Sequence, residues 1–219
     1  MSVSALLAER TAALGFDLSP EAGTRLLEHL AMVQKWNRVH NLTAIRDPEM
    51  MLVAHVLDSP AVVPYIAGPR ITDIGSGAGF PGIPLALARP DWHITLIESN
   101  HKKAAFLQQV RIDLQLKNVR VVNRRAEEFQ VPEGFDTVIS RAFASLADFA
   151  GLAGHLCIRH GSRLAAMKGV YPHEELLQLP TRFAIEKVLP ITVPGLEAKR
   201  HLVIIKASGP DQDRCFKQE

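Results

Sequence analysis

The segment Asp73-Ile74-Gly75-Ser76-Gly77-Ala78-Gly79-Phe80-Pro81-Gly82 places four glycines within eight positions behind a short β-branched run. Glycine tolerates positive φ and lets a ligand approach the backbone, while a helix starting at the end of such a loop presents N–H groups. Gly77, Gly79 and Gly82 also satisfy G-x-G-x-x-G. Glu98 stands 23 residues beyond Gly75, at the end of a second apolar run, where an acid can accept hydrogen bonds from ribose hydroxyls. A bare strand-to-helix turn needs fewer glycines, so the segment reads as a nucleoside site. Charge then separates two ligands. A dinucleotide brings a pyrophosphate to the helix start, whereas S-adenosylmethionine brings adenosine and a cationic methionine tail. Asp73, just ahead of the glycines, repels a pyrophosphate and can sit near an ammonium group. That favours S-adenosylmethionine, with NAD as the alternative.

The elements that must hold these residues follow from local patterning. Residues 2 to about 65 read as successive helices: Ser19-Pro20-Glu21 and Asp47-Pro48-Glu49 each set a capping residue before proline, and Leu26, Leu27, Leu30 and Val33 recur at helical spacing. After Ala67-Gly68-Pro69 short β-branched runs alternate with helical segments, the pattern of βαβ units and a parallel sheet. Strands are expected at 70–74, 93–98, 119–123, 135–140 and 163–167. Helices are expected at 82–88, 101–114 and 146–156, with short helical turns near 126–129 and 173–179. Two closing strand-like runs, 182–191 and 201–207, are joined by about ten residues containing Pro194-Gly195, too few for a crossover helix. They are expected to pair antiparallel. The reading is thus an α/β, Rossmann-like class I methyltransferase fold: a mostly parallel, doubly wound sheet with an antiparallel C-terminal strand pair. Residues 1–67 form an N-terminal helical extension and residues 68–219 one compact S-adenosylmethionine-binding unit.

Composition bounds the function. The chain has 219 residues, 47% of them hydrophobic, enough for one sizeable core. A formal charge of +2 is too small to announce a nucleic-acid partner in bulk, so such a partner must be read from local clusters. Cys157 and Cys215 are too far apart and too few for a disulfide framework or a zinc site, and no metal is expected. Glu9 and Arg10 interrupt the N-terminal apolar stretch, and no apolar run approaches the ~18 residues of a membrane helix. A cytoplasmic chain without membrane partners is expected.

Several further segments carry a resemblance: Trp36-Asn37-Arg38-Val39-His40-Asn41-Leu42-Thr43, His55-Val56-Leu57-Asp58-Ser59, the run from Asp73 to Ala86, Ser140-Arg141-Ala142 and Lys168-Gly169. Together they resemble the RsmG family, also called glucose-inhibited division protein B, the bacterial 16S rRNA guanine-N7 methyltransferases. The resemblance runs from about Leu27 to Ala207. It departs from the family at Pro60, where leucine is more frequent, and at Met167, where tyrosine is. The resemblance implies cofactor contacts at Gly75, Phe80, Ala126, Glu127 and Arg141, with Glu98 as the ribose acid. The glycine loop adds Asp73, Ser76, Gly77 and Gly79 to that set.

Substrate contacts are expected from Arg38, Asn41, Thr43, His55, Asp58, Lys168 and Arg200. His55 and Asp58 lie three apart on a helical stretch and so point the same way; His55 either orients the extension or touches substrate. Arg38, His40 and Arg46 flank Asn41-Leu42-Thr43, while Arg120, Arg124 and Arg125 with Lys102 and Lys103, and Lys199, Arg200 and His201, form further basic groups. Such runs are either solvated faces or phosphate-tracking rims. With 6% aromatic residues a broad stacking platform is not expected; docking onto folded 16S RNA or a small-subunit assembly particle is. The resemblance implies methyl transfer to guanine N7, whose lone pair needs no general base. Arg141 is the expected catalytic residue, an always-charged fork at an anion between the two sites. An S-adenosylmethionine enzyme acting on a small molecule or protein, or an NAD-dependent oxidoreductase, is the alternative.

Overall fold

The computed structural model describes residues 3–15, 18–141, 143 and 145–207. Ala142 and Cys215, both singled out above, lie outside them. The extension contains α1 (Val3–Ala13), α2 (Pro20–His40) and α3 (Pro48–Met51). Ser19 starts α2 by accepting the Ala22 N–H, and Asn41 ends it in the left-handed region at φ 46°, ψ 55°. Asp47 caps α3 through the Met50 N–H at 2.8 Å. Beyond α3 the chain departs from the expected ordinary helix: Leu52–Leu57 widens into a π-helical turn and Pro60–Tyr65 tightens into a 3₁₀ turn. Pro60 and Pro64 lack the N–H an α-helix needs and crowd the preceding turn, so the regular ladder cannot continue.

The remaining elements are β1 (Arg70–Ile74), α4 (Gly82–Ala88), β2 (His93–Ile97), α5 (His101–Asp113), β3 (Val119–Val122), β4 (Thr137–Arg141), α6 (Leu146–Ala153), β5 (Arg163–Lys168), α7 (His173–Leu177), β6 (Phe183–Pro190) and β7 (His201–Ala207). The sheet order is β3-β2-β1-β4-β5-β7-β6. β1 to β5 run parallel, and β7 is antiparallel to both β5 and β6. The direction of strand addition reverses between β1 and β4. Ligands bind open α/β sheets at the carboxyl ends beside such a reversal.

The extension is not a loosely tethered appendage. Leu26, Leu30, Val33, Leu52, Val56 and Leu57 share one apolar cluster with Ile83, Leu85, Phe106 and Leu107 of the helices covering the sheet. At about 1.5–3 kcal/mol per buried side chain, burial of those six residues favours the docked extension. The opposite face carries a second cluster, with Phe149 and Leu164 packed against Val203 and Ile205. The sheet is therefore covered by the extension on one face and by α6 on the other.

Candidate cofactor and substrate site

β1 delivers the glycine loop to the strand-order reversal. Gly75, Gly77 and Gly79 all take positive φ, at 69°, 56° and 90°. The Gly75 and Ser76 N–H groups donate to Ile97 O, which ties the loop to the end of β2. Ser76 turns its hydroxyl inward to Asp73 O at 2.9 Å. Glu98 accepts the Gly77 N–H at 2.9 Å on one oxygen and the Asn100 N–H at 2.8 Å on the other. Asp73 accepts the Gly82 N–H at 3.0 Å, while its second oxygen is buried without a hydrogen-bond partner. Burial pushes the Asp73 carboxyl up to about 7, against the pull of the Gly82 N–H.

A cavity of about 190 Å³ opens beside this loop, lined among others by Ile74, Gly75, Ile97, Ser99, Ala126 and Glu127. Its floor is apolar where the strands end, and a Cβ on Gly75 would enter open space. The donor set fits an adenosine carrying a cationic tail. Each Glu98 oxygen keeps a lone pair for a ribose hydroxyl, and a positive charge nearby would favour the ionised form of the buried Asp73 carboxyl, whose second oxygen is unpartnered. It does not fit a pyrophosphate, because the Gly77 and Gly82 N–H groups it would need already meet carboxylates.

On the other side of the β4 end, residues of the extension build a polar cluster. The Asn37 amide clamps Thr43, donating to its carbonyl at 2.9 Å and accepting its N–H at 3.0 Å. Thr43 Oγ1 lies 2.8 Å from His55 Nε2, and His55 Nδ1 lies 3.1 Å from Ala54 O. A carbonyl can only accept, so Nδ1 carries the proton and Nε2 accepts from the threonine hydroxyl. Burial first, and the nearby Arg141 charge second, lower His55 to about 4. The Phe80 ring lies between His55 at 4.9 Å and His29 at 4.8 Å, with the Arg141 guanidinium 5.3 Å above it. Arg141 Nη1 donates to Ala54 O at 3.1 Å and sits 3.6 Å from Asp58 Oδ2. Arg200 Nε lies 3.2 Å from Asp58 Oδ1, close enough for an ion pair but without hydrogen-bond alignment.

The residues singled out from sequence therefore divide into groups. Gly75, Ala126 and Glu127 line the cavity, and Asp73, Ser76, Gly77 and Glu98 shape the loop beside it. Gly79 packs at the start of α4, and the Phe80 ring faces the extension. His55, Asp58, Arg141 and Arg200 converge in one cluster. Arg38 and Asn41 are exposed, Asn41 serving as the end of α2, while Thr43 points inward. Lys168 is engaged by Glu175 at 2.7 Å and by Phe143 O at 3.2 Å.

Four residues with a part in this region were not assigned to it from sequence. His29, fully buried, donates through Nε2 to Ala78 O at 2.8 Å and so holds the glycine loop from the extension. Its position three residues after Leu26, inside the apolar stripe of α2, was the available signal. Asn37 fixes the Thr43 segment. Arg124 and Arg125, read above only as part of a basic run, line the cavity. Among the described residues no group of three or more His, Cys, Asp or Glu could hold a metal, and no helix is long and apolar enough to cross a membrane. Burial pushes the Cys157 thiol up to about 12, which leaves it unreactive at neutral pH.

Comparison with known proteins adds an independent line. Residues 23–203 match the family model for rRNA small subunit methyltransferase G. The ribosomal RNA small subunit methyltransferase G of Nitrosospira multiformis is 60% identical over 215 residues, covering 95% of this chain and 100% of the relative. That of Nitrosomonas europaea is 50% identical over 195 residues, covering 87% and 91%. Among solved structures, a SAM dependent methyltransferase from Aquifex aeolicus aligns with TM-score 0.51 at 15% identity, covering 75% of this chain and 96% of that one. A protein in the NADB-Rossmann superfamily from Streptococcus agalactiae aligns with TM-score 0.54 at 15% identity, covering 73% and 72%. At such identities the two structures bear on the fold alone.

Proposed function

The chain belongs to the rRNA small subunit methyltransferase G family, and from that premise we propose that it transfers a methyl group from S-adenosylmethionine to N7 of a guanine in 16S ribosomal RNA. The observation that carries the cofactor choice is the loop itself, whose Gly77 and Gly82 N–H groups are occupied by the Glu98 and Asp73 carboxylates. That arrangement disfavours a phosphate and favours a cation. When bound beside Gly75, Glu98 and Glu127, S-adenosylmethionine would supply a methyl group on a sulfonium centre, with the thioether as leaving group, to the N7 lone pair.

The protein's residues then have positioning and electrostatic tasks. Glu98 and Glu127 hold the nucleoside at the carboxyl ends of β2 and β3. Asp73 faces the positive tail. Arg141, between the cavity and the extension, binds an anion, since a guanidinium directly at N7 would oppose the positive charge that develops on the product base. No side chain has to remove a proton from N7. His55 suits that chemistry: both ring nitrogens are engaged and the ring is neutral, so it orients the cluster rather than acting as a base. The exposed Arg38 and Arg46 supply cations to the RNA backbone, and folded 16S RNA or a small-subunit particle in the cytoplasm is the proposed substrate.

The test is labelling of small-subunit particles from cells lacking this protein with radioactive S-adenosylmethionine, followed by chemical cleavage at N7-methylguanosine. Label at a single guanine N7 is expected. Label on another atom would overturn the N7 assignment, and no label on either naked 16S RNA or particles would overturn the substrate.

A further inference from the structure

Asp58, Arg141 and Arg200 come from three distant parts of the chain: the extension, the end of β4 and the residue preceding β7. They meet at one carboxylate. The Asp58 side chain is 2% exposed, whereas Arg141 and Arg200 are 21% and 23% exposed. The acid thus lies beneath the two guanidinium groups and cannot reach an RNA phosphate or base, although the sequence reading placed it among the substrate contacts. Among the described residues neither arginine makes another ion pair. Asp58 is the one carboxylate in direct contact with the two guanidinium groups and His55 is neutral; Asp73 acts on Arg141 only at longer range, so the exposed side of the pair is positive.

The arginines are also constrained in direction. Arg141 is held through Nη1 by Ala54 O and Asp58 and lies over the Phe80 ring, so among the described residues its Nε and Nη2 hydrogens remain for a ligand. Arg200 pairs with Asp58 by charge alone and donates through Nη1 to the Lys199 carbonyl, which leaves Nη2. We propose that Asp58 is a positioning residue that sets the Arg141 and Arg200 guanidinium groups as a fixed pair for one anionic group of the RNA substrate. This rests on the RNA-methylation reading above. Burial raises the Asp58 carboxyl and the two arginines oppose that rise; with guanidinium groups always charged, a neutral acid there would leave two half-buried cations uncompensated.

The experiment combines arginine side-chain NMR with a double-mutant cycle. In the wild-type protein, ¹⁵N-labelled Arg141 and Arg200 should show slow rotation about their Nε–Cζ bonds, and Asp58→Asn should release both. Free rotation in the wild type, or no change on substitution, overturns the proposal without any activity measurement. With small-subunit particles, Asp58→Asn should lower kcat/KM by about 100-fold, as expected for a misaligned contact, with unchanged affinity for S-adenosylhomocysteine. In an Arg141→Gln, Arg200→Gln background the same substitution should cost almost nothing. A merely structural acid would give an equal loss in both backgrounds and overturn the positioning role. Released rotation in Asp58→Asn combined with a wild-type protein that methylates no small-subunit RNA would instead sink the RNA reading, and with it the anionic RNA ligand, while leaving the arginine geometry in place.

Discussion

His29 offers a quantitative check on how the extension grips the glycine loop. Its Nε2–H donates to Ala78 O at 2.8 Å, its Nδ1 is buried without a partner, and the side chain is fully enclosed. Protonating Nδ1 would bury a charged donor facing no acceptor, and burial accordingly lowers the group from 6.5 to about 4. In the unfolded chain the ordinary value applies. The unfolded state therefore takes up a proton as pH falls through 6.5 while the folded state does not, so this contribution to stability is fully present above 6.5 and is lost on acidification toward 4. At pH 5 the two values correspond to a loss of about 2 kcal/mol relative to pH 7.5. His29→Leu removes the titration but strands the Ala78 carbonyl, at a cost of about 1–3 kcal/mol. Urea unfolding of both proteins at pH 7.5, 6 and 5 should show the variant less stable at pH 7.5 and the gap narrowing by about 2 kcal/mol at pH 5. Asp73 titrates in both proteins; His55, which feels the His29 charge, is itself lowered to about 4 and stays mostly neutral at all three pH values, so it adds little to the difference. A gap independent of pH would refute the neutral, loop-holding histidine.

Gly77→Val should abolish S-adenosylhomocysteine binding by calorimetry while the protein stays folded: its Cβ meets nothing closer than Gly75 O at 3.7 Å, so the cost is backbone strain at φ 56°, about 1–2 kcal/mol, plus occupation of the ligand's space. Unchanged affinity would show that the loop is not the cofactor cradle. Reversing Arg38 and Arg46 to Glu should weaken RNA binding and flatten its salt dependence while cofactor affinity holds; equal loss of both would mean that this part of the extension belongs to the cofactor pocket. Single-turnover methylation with saturating cofactor should show no general-base titration between about pH 6 and 9, and a rate climbing tenfold per pH unit would rule out attack by N7. Arg141→Lys should lose much of the activity, since an ammonium cannot reproduce a planar fork held by Ala54 O and Asp58; wild-type rates would remove the guanidinium from the mechanism.

Much of the fold is local information and was legible in the chain. Ser19 and Asp47 announce helices because a side-chain oxygen beside Pro satisfies orphan N–H groups. β1 and α4 match their expected limits because β-branched alternation, four glycines and an apolar helix each restrict the backbone within a few residues. The short Pro194-Gly195 connection excludes a crossover helix, and the β6–β7 pair is antiparallel. The conformation of the glycine loop was legible for the same reason, since positive φ at Gly75, Gly77 and Gly79 is a property of single residues.

What the sequence left open are contacts between residues far apart in the chain. Spacing put His55 and Asp58 on one face, but only packing decided that Asp58 lies under Arg141 and Arg200 and that His55 is closed off by Thr43 and Phe80. His29 looks like any histidine on an amphipathic helix until α2 docks and brings it to Ala78, 49 residues away. Periodicity tells which side of a helix is apolar, but the neighbour that side meets is set by the summed burial of many side chains across the core. Charge, protonation and reach follow from that neighbour, so the tertiary structure decided which of the polar residues stay exposed and which hold the others in place.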